Sequence, residues 1–190
     1  MKNYILCLIT ILLVACSVSN TDKVEATPQQ PLGQSVNSDT FNLQFSKVLN
    51  AYYALKDAFI SEDLVKINEA STQLKVVNAI NYLKEIKADT SIIQTAKVYA
   101  TNLNDELTGL LKETDINNKR KSFQIITSDI YDIIRIVRYD REKVYMQHCP
   151  MAFKNNGADW LSNSSEILNP YLPKQMLDCG EIKDSVDYRN

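Results

Sequence analysis

Three observations predict an all-α domain: an up-down four-helix bundle with a loop-rich cysteine and methionine tail docked on it. Between Thr40 and about Tyr139 there is no proline and a single glycine, Gly109. Both residues break helices, so their absence over that span favours long ones. Apolar residues recur there every three or four positions, the period of a helix face. Beyond Tyr139 the texture changes, with Pro150, Pro170, Pro173, Gly157 and Gly180 all falling in the last third of the chain.

The elements follow in order. Met1-Lys2-Asn3 is a short positive region and "YILCLITILLVA" an apolar run too short for a membrane span. It ends in "LVAC", which resembles a bacterial lipobox. Residues 1–15 are therefore expected to be a lipoprotein signal segment. Cys16 becomes the lipidated N-terminus and anchors the protein to the outer or inner membrane, facing the periplasm; several acyl chains hold where one holds only marginally. Residues 16–39 are rich in Ser, Gln, Asn and Pro, without enough apolar surface to order themselves, and read as a flexible tether.

The first helix is striped by Phe41, Phe45, Val48, Tyr52, Leu55 and Phe59, and the second by Leu64, Ile67, Ala70, Leu74, Val77 and Ile80. Ile92, Ala96, Tyr99 and Leu103 mark a third; Phe123, Ile126, Ile130, Ile133 and Val137 mark a fourth. Ser61-Glu62-Asp63, Asp89-Thr90-Ser91 and Thr114-Asp115 supply stops and capping side chains between them. Short connections between long amphipathic helices imply antiparallel neighbours. Arg135, Arg138 and Arg141 read as a solvated helix end. The folded domain is expected over residues 40–182, with its tail from about 143 and a disordered end over 183–190.

In the tail, "KVYMQHC" alternates, with Tyr145, Gln147 and Cys149 on one side and Val144, Met146 and His148 on the other: a short strand or an extended segment. Trp160, Leu161, Ile167, Leu168, Tyr171 and Leu177 give the tail apolar area with which to dock. The only histidine, His148, lies here with Cys149, Cys179, Met146, Met151 and Met176. Thiolate, thioether and imidazole suit copper(I) and other soft ions, whereas calcium and magnesium take oxygen ligands. Pro150 keeps Cys149 extended. Met176 and Cys179, three apart, would share a face of one helical turn. The expected metal ligands are His148, Cys149, Met151, Met176 and Cys179, and the expected ion is copper(I).

These residues carry a resemblance. Cys149-Pro150-Met151-Ala152, Trp160-Leu161-Ser162, Asn169-Pro170-Tyr171, and Met176 with Cys179-Gly180 are similar to the pattern of a domain of unknown function. That domain occurs at the C-terminus of heavy-metal RND efflux adaptor proteins and in stand-alone exported lipoproteins. "LNAYYALKDAFISED" and "RKSFQIITSDI" resemble its first and last helices, so the likeness covers about residues 40–182. It implies copper or silver handling beside RND-type efflux components. The chain departs from the pattern at Leu172-Pro173, where the family often has a glycine.

A second reading stands beside the metal site. Cys149 and Cys179 could form a disulfide, which an oxidising compartment permits. Closing a loop of this length would stabilise by about 3–4 kcal/mol in the chain-entropy model. The protein would then be a stapled module that binds an envelope partner and no metal. A redox switch between thiols and disulfide is the third reading. Nucleic acid is not an expected partner at a net charge of -2. Catalysis is not expected either: no phosphate loop or nucleotide fingerprint is present, and His148 and Cys149, adjacent in an extended segment, point to opposite faces.

Overall fold

The structure, a computed structural model, describes residues 35–189. The expected signal segment, Cys16 and all but the last five residues of the tether lie outside the described residues. Four long helices are present: α1 (Asp39–Ser61), α2 (Leu64–Val77), α3 (Thr90–Lys112) and α4 (Ile116–Val137), with a 3-10 segment at Ile80–Glu85 between α2 and α3. None of the helices described is long and apolar enough to cross a membrane.

The breaks fall where capping chemistry puts them. Ser38 Oγ accepts from the Phe41 amide, Asp63 Oδ1 from the amides of Val65 and Lys66, and Asp115 Oδ1 from that of Asn118. Each satisfies amides that a helix start leaves without partners. Asp89 stands at the N-cap of α3 but makes no such bond. Glu62 and Arg138 end α1 and α4 in the left-handed region, at φ 53° and 50°. Leu64, read as core from its spacing, is exposed.

Each helix packs on the next, α1 on α2, α2 on α3 and α3 on α4. Aromatic rings bind α1 to α4: Phe123 stacks on Tyr52 with centroids 5.4 Å apart and lies 4.8 Å from Phe59. The bundle begins slightly before Thr40, because Asn37 Nδ2 donates to the Val137 carbonyl (2.8 Å) and Ser38 Oγ to that of Glu85 (2.8 Å).

The all-α expectation is wrong. Behind the bundle lies a three-stranded antiparallel sheet of β1 (Val144–Cys149), β2 (Ala158–Ser162) and β3 (Glu181–Val186), in the order β2-β1-β3. The alternation of β1 is legible in the sequence, but a strand needs partners to satisfy its backbone. Those partners are short, and one of them, "EIKDSV", is exposed at all but its last position and half charged. The expectation that the chain is disordered from residue 183 fails for the same reason. β3 runs to Val186, Tyr131 Oη donates to Asp184, and the Arg138 guanidinium lies over the Tyr188 ring. Of the arginines read as a solvated end, Arg138 is thus engaged, and Arg141 donates to Asp39 at 2.8 Å.

Sheet and bundle share one polar joint. Tyr52 is fully buried; its hydroxyl accepts from the Leu161 amide of β2 (2.9 Å) and lies 2.7 Å from Thr127 Oγ1 of α4, which donates to the Phe123 carbonyl (2.9 Å). A buried amide without a partner costs about 1–3 kcal/mol. Tyr52→Phe is therefore expected to lower unfolding stability by about 1–3 kcal/mol in a denaturant titration, with the helical circular dichroism signal of the native state unchanged.

Asp129 of α4 has a carboxylate oxygen, Oδ2, that is buried without a hydrogen-bond partner. Burial, followed by the nearby charges of Asp132 and of Glu106 on α3, pushes its carboxyl up to about 6. A raised carboxyl pKa means that the folded state holds its proton more tightly than the unfolded chain does. Stability from this group is thus full below about pH 4 and falls as pH rises to about 6. Asp129→Asn is expected to stabilise the protein by about 2 kcal/mol at pH 7 and by almost nothing at pH 4, as read from melts at the two pH values.

Candidate functional site

β1 is the central strand, and its last residue, Cys149, is fully buried opposite Ala158 of β2. The second thiol reaches it from the segment before β3. Asn169, also fully buried, shapes that segment: its Oδ1 accepts from the amides of Tyr171 (2.9 Å) and Leu172 (3.3 Å), and its Nδ2 donates to the Met176 carbonyl (3.2 Å). Its own amide donates to the Leu177 carbonyl at 2.7 Å. The Leu172 carbonyl then accepts from Met176 N (2.8 Å), and the Met176 carbonyl from Cys179 N (3.2 Å). At Leu172-Pro173, where the chain departs from the expected pattern, the turn is made without any amide from Pro173.

The result is a dithiol. Cys149 Sγ and Cys179 Sγ lie 3.2 Å apart, from positions 30 residues apart, and both cysteines are free. The hydrogen bond with Cys149 and then burial push the Cys179 thiol above its ordinary value, with Asp178 adding to the effect. Gly180 makes the approach feasible: a Cβ there would lie 2.8 Å from the His148 carbonyl oxygen and 2.8 Å from Trp160 Cη2. Met151 is exposed and Met176 half-buried, on the two segments that carry the thiols.

His148 is set apart from this pair. Alternation along β1 places it on the opposite face from Cys149. Its Nδ1–H donates to Asp159 Oδ1 across the strands (2.5 Å), and Asp159 Oδ2 accepts from Lys183 Nζ (2.9 Å). The group is a polar tie across β2, β1 and β3. Met146, on the same face, is buried. Among the described residues no group of three His, Cys, Asp or Glu is placed to hold a metal ion. The structure therefore brings together Cys149 and Cys179, keeps Met151 and Met176 on adjoining segments, and turns His148 away.

Sequence reasoning named Asn169 only within a motif and Gly157 only as a breaker, gave Arg120 no role, and read none of the three as building the site. Arg120 is nearly buried; its Nη2 donates to Glu62 Oε1 (2.8 Å) and its Nε to the Pro170 carbonyl (3.0 Å). Glu62 also pairs with Lys174 (2.5 Å), and the Arg120 and Lys174 hydrogen bonds hold its carboxyl below the usual range. One ionic cluster thus ties the cysteine-bearing loop to the α1–α2 corner. The turn between β1 and β2 is strained: Phe153, Lys154 and Asn155 all have positive φ (49°, 58° and 69°), at roughly 1 kcal/mol or more apiece.

Gly157 closes that turn at φ 79°, where an added Cβ would stand 2.6 Å from His148 Cε1. Gly157→Ala is expected to destabilise the domain by about 2 kcal/mol or more in thermal melts. In a His148→Ala background the penalty should shrink but not vanish, because the backbone conformation still opposes a side chain. An equal penalty in both backgrounds would remove the imidazole clash as a cause.

A family model described as "Protein of unknown function (DUF3347)" matches residues 48–142, from within α1 to the residues just before β1. No curated protein and no solved structure matches the chain. The matched residues comprise most of the helical bundle and stop short of both thiols. The chain belongs to this family of unknown function.

Proposed function

We propose that the protein is a lipid-anchored protein of the bacterial envelope that holds a soft metal ion, copper(I), at Cys149 and Cys179. It buffers the ion or passes it to an efflux system of the RND type. The observation that carries this reading is the pair of free thiols 3.2 Å apart, delivered by two separate segments onto one end of a sheet. Two sulfurs of this kind suit copper(I), and Met151 and Met176 add thioethers from the same segments. His148 falls outside this donor set and serves the sheet. The "LVAC" stretch ending at Cys16 supports the anchor. The resemblance of the tail to domains that accompany copper and silver efflux supports the choice of ion and of partner.

A bound copper(I) would supply a labile cation that can be exchanged with other sulfur ligands. The chain supplies the rest. Thiolates, not thiols, bind the ion, so each thiol must lose its proton on binding. The Cys179 thiol is raised by its bond to Cys149 and by burial, so protons compete with the ion at this position. Affinity should therefore fall as pH falls.

The same distance favours a second reading. Two sulfurs this close need little movement to oxidise, and a disulfide would staple the end of β1 to the loop before β3 without any metal. The domain would then be a stapled module for an envelope partner. Thiol counting and a copper(I) titration against a chromophoric chelator separate the two. Reduced protein is expected to take up one copper(I), with apparent affinity dropping about tenfold or more from pH 8 to pH 6. Cys149→Ser with Cys179→Ser should abolish uptake, and Met151→Leu with Met176→Leu should weaken it. A quantitative disulfide in protein from its native compartment, with no uptake after reduction, would leave the stapled module.

A further inference from the structure

A cleft of about 860 Å³ opens between α4 and the strained β1–β2 turn, and none of the soft-ligand residues lines it. Its size falls in the range of small-ligand sites. One wall is the outer side of α4, which contributes Arg120, Lys121 and the half-exposed Ile125. The other is the turn and the loop beyond it, which contribute Phe153, Lys154 and Leu172. At the back lies Tyr171, whose ring meets Phe153 edge-on at 5.4 Å between centroids.

The charge of this cleft is one-sided. Three cationic residues line it and no aspartate or glutamate does, in a chain with more acidic than basic residues. Arg120 is neutralised by Glu62, but among the described residues neither Lys121 nor Lys154 forms a salt bridge. Lys121 Nζ donates only to the neutral Asn118 side chain, at 3.1 Å. Two lysines without an acidic partner thus line a space that also carries the apolar groups of Ile125, Phe153 and Leu172 beside the polar side chains of Gln124, Ser128 and Asn156.

The backbone adds an independent sign. Phe153 and Lys154, one apolar and one cationic member of the wall, both stand in the left-handed region. Unfavourable backbone held in place by its surroundings clusters at ligand clamps. Here it falls at two adjacent residues that both line the cleft.

We propose that this cleft binds a small organic anion with an apolar body, its acid group held by Lys121 and Lys154 and its body lying against Ile125, Phe153 and Leu172. The reading is independent of the dithiol, which the cleft does not touch. Such an anion could come free or as the headgroup end of a lipid; the cleft is matched to the free acid, because its apolar part lies within the walls rather than in a bilayer.

Calorimetric titration of the purified full chain with decanoate tests this, with acetate carrying the charge without the body and decanol the body without the charge. Decanoate is expected to bind saturably with a Kd below about 1 mM, and acetate and decanol each at least about tenfold more weakly. Lys121→Glu with Lys154→Glu should weaken decanoate by about tenfold or more and leave decanol unchanged; Ile125→Ser should weaken both. Absence of saturable decanoate binding, equal binding of decanol, or indifference to the double lysine change would overturn the proposal. Retention on phosphatidylglycerol vesicles without binding of free decanoate would overturn it as well. Repeating the titration on Cys149→Ser with Cys179→Ser keeps the two sites separate, since loss of the dithiol leaves this cleft intact.

Discussion

Everything at the C-terminal end depends on a three-stranded sheet that is too small to stand alone. Strands of five or six residues bury little, and an isolated sheet of this size is marginal in water. What holds it is the helical surface behind it, and the most constrained contact is the Tyr52 hydroxyl. That oxygen, with no access to solvent, meets the Thr127 hydroxyl of α4 and the Leu161 amide of β2 at once. Phe123 stacks on the same ring and also meets Tyr171 of the cysteine-bearing loop, at 5.9 Å. The helices therefore set the position of the strands, and the strands set the position of the thiols.

A second tie works from the other side. Arg120 joins the α1–α2 corner through Glu62 to the backbone of the loop at Pro170. A buried guanidinium is tolerated because its charge is matched and two of its donors are used. Asn169 then fixes the loop from within. The chain that leads to Cys179 is thus held by a charge pair at its start and by an amide side chain along its course. Neither tie involves a sulfur, so the dithiol is a consequence of the fold rather than its cause.

The helices were legible because a 3.6-residue period sustained over twenty residues is hard to imitate, and because Asp63 and Asp115 cap where their side chains predict. The sheet was only half legible. β1 alternates, yet β3 is exposed at nearly every position, so no apolar pattern marks it as a strand. Its partner lies far back in the chain, and backbone pairing across such a distance leaves no local trace. Arg120 shows the same limit. On a helix it looks like any solvated arginine, and its role arises from Glu62 and Pro170, more than fifty and fifty residues away. The soft-ligand cluster was visible as composition, but composition does not report facing. Neighbours along β1 look in opposite directions, so His148 ties three strands together while Cys149 meets its mate.

The placement of β1 at the centre of the sheet has a consequence for the order in which the molecule is completed. Cys149 precedes Cys179 by 30 residues in the chain, and β3, which completes the sheet, follows Cys179. For that interval the earlier sulfur has its hairpin neighbour but no companion, and it is shielded only as far as β2 and the helices already cover it. The segment before β3 is therefore what turns a solitary thiol into a pair, and a chain cut short before residue 179 would present a different chemistry.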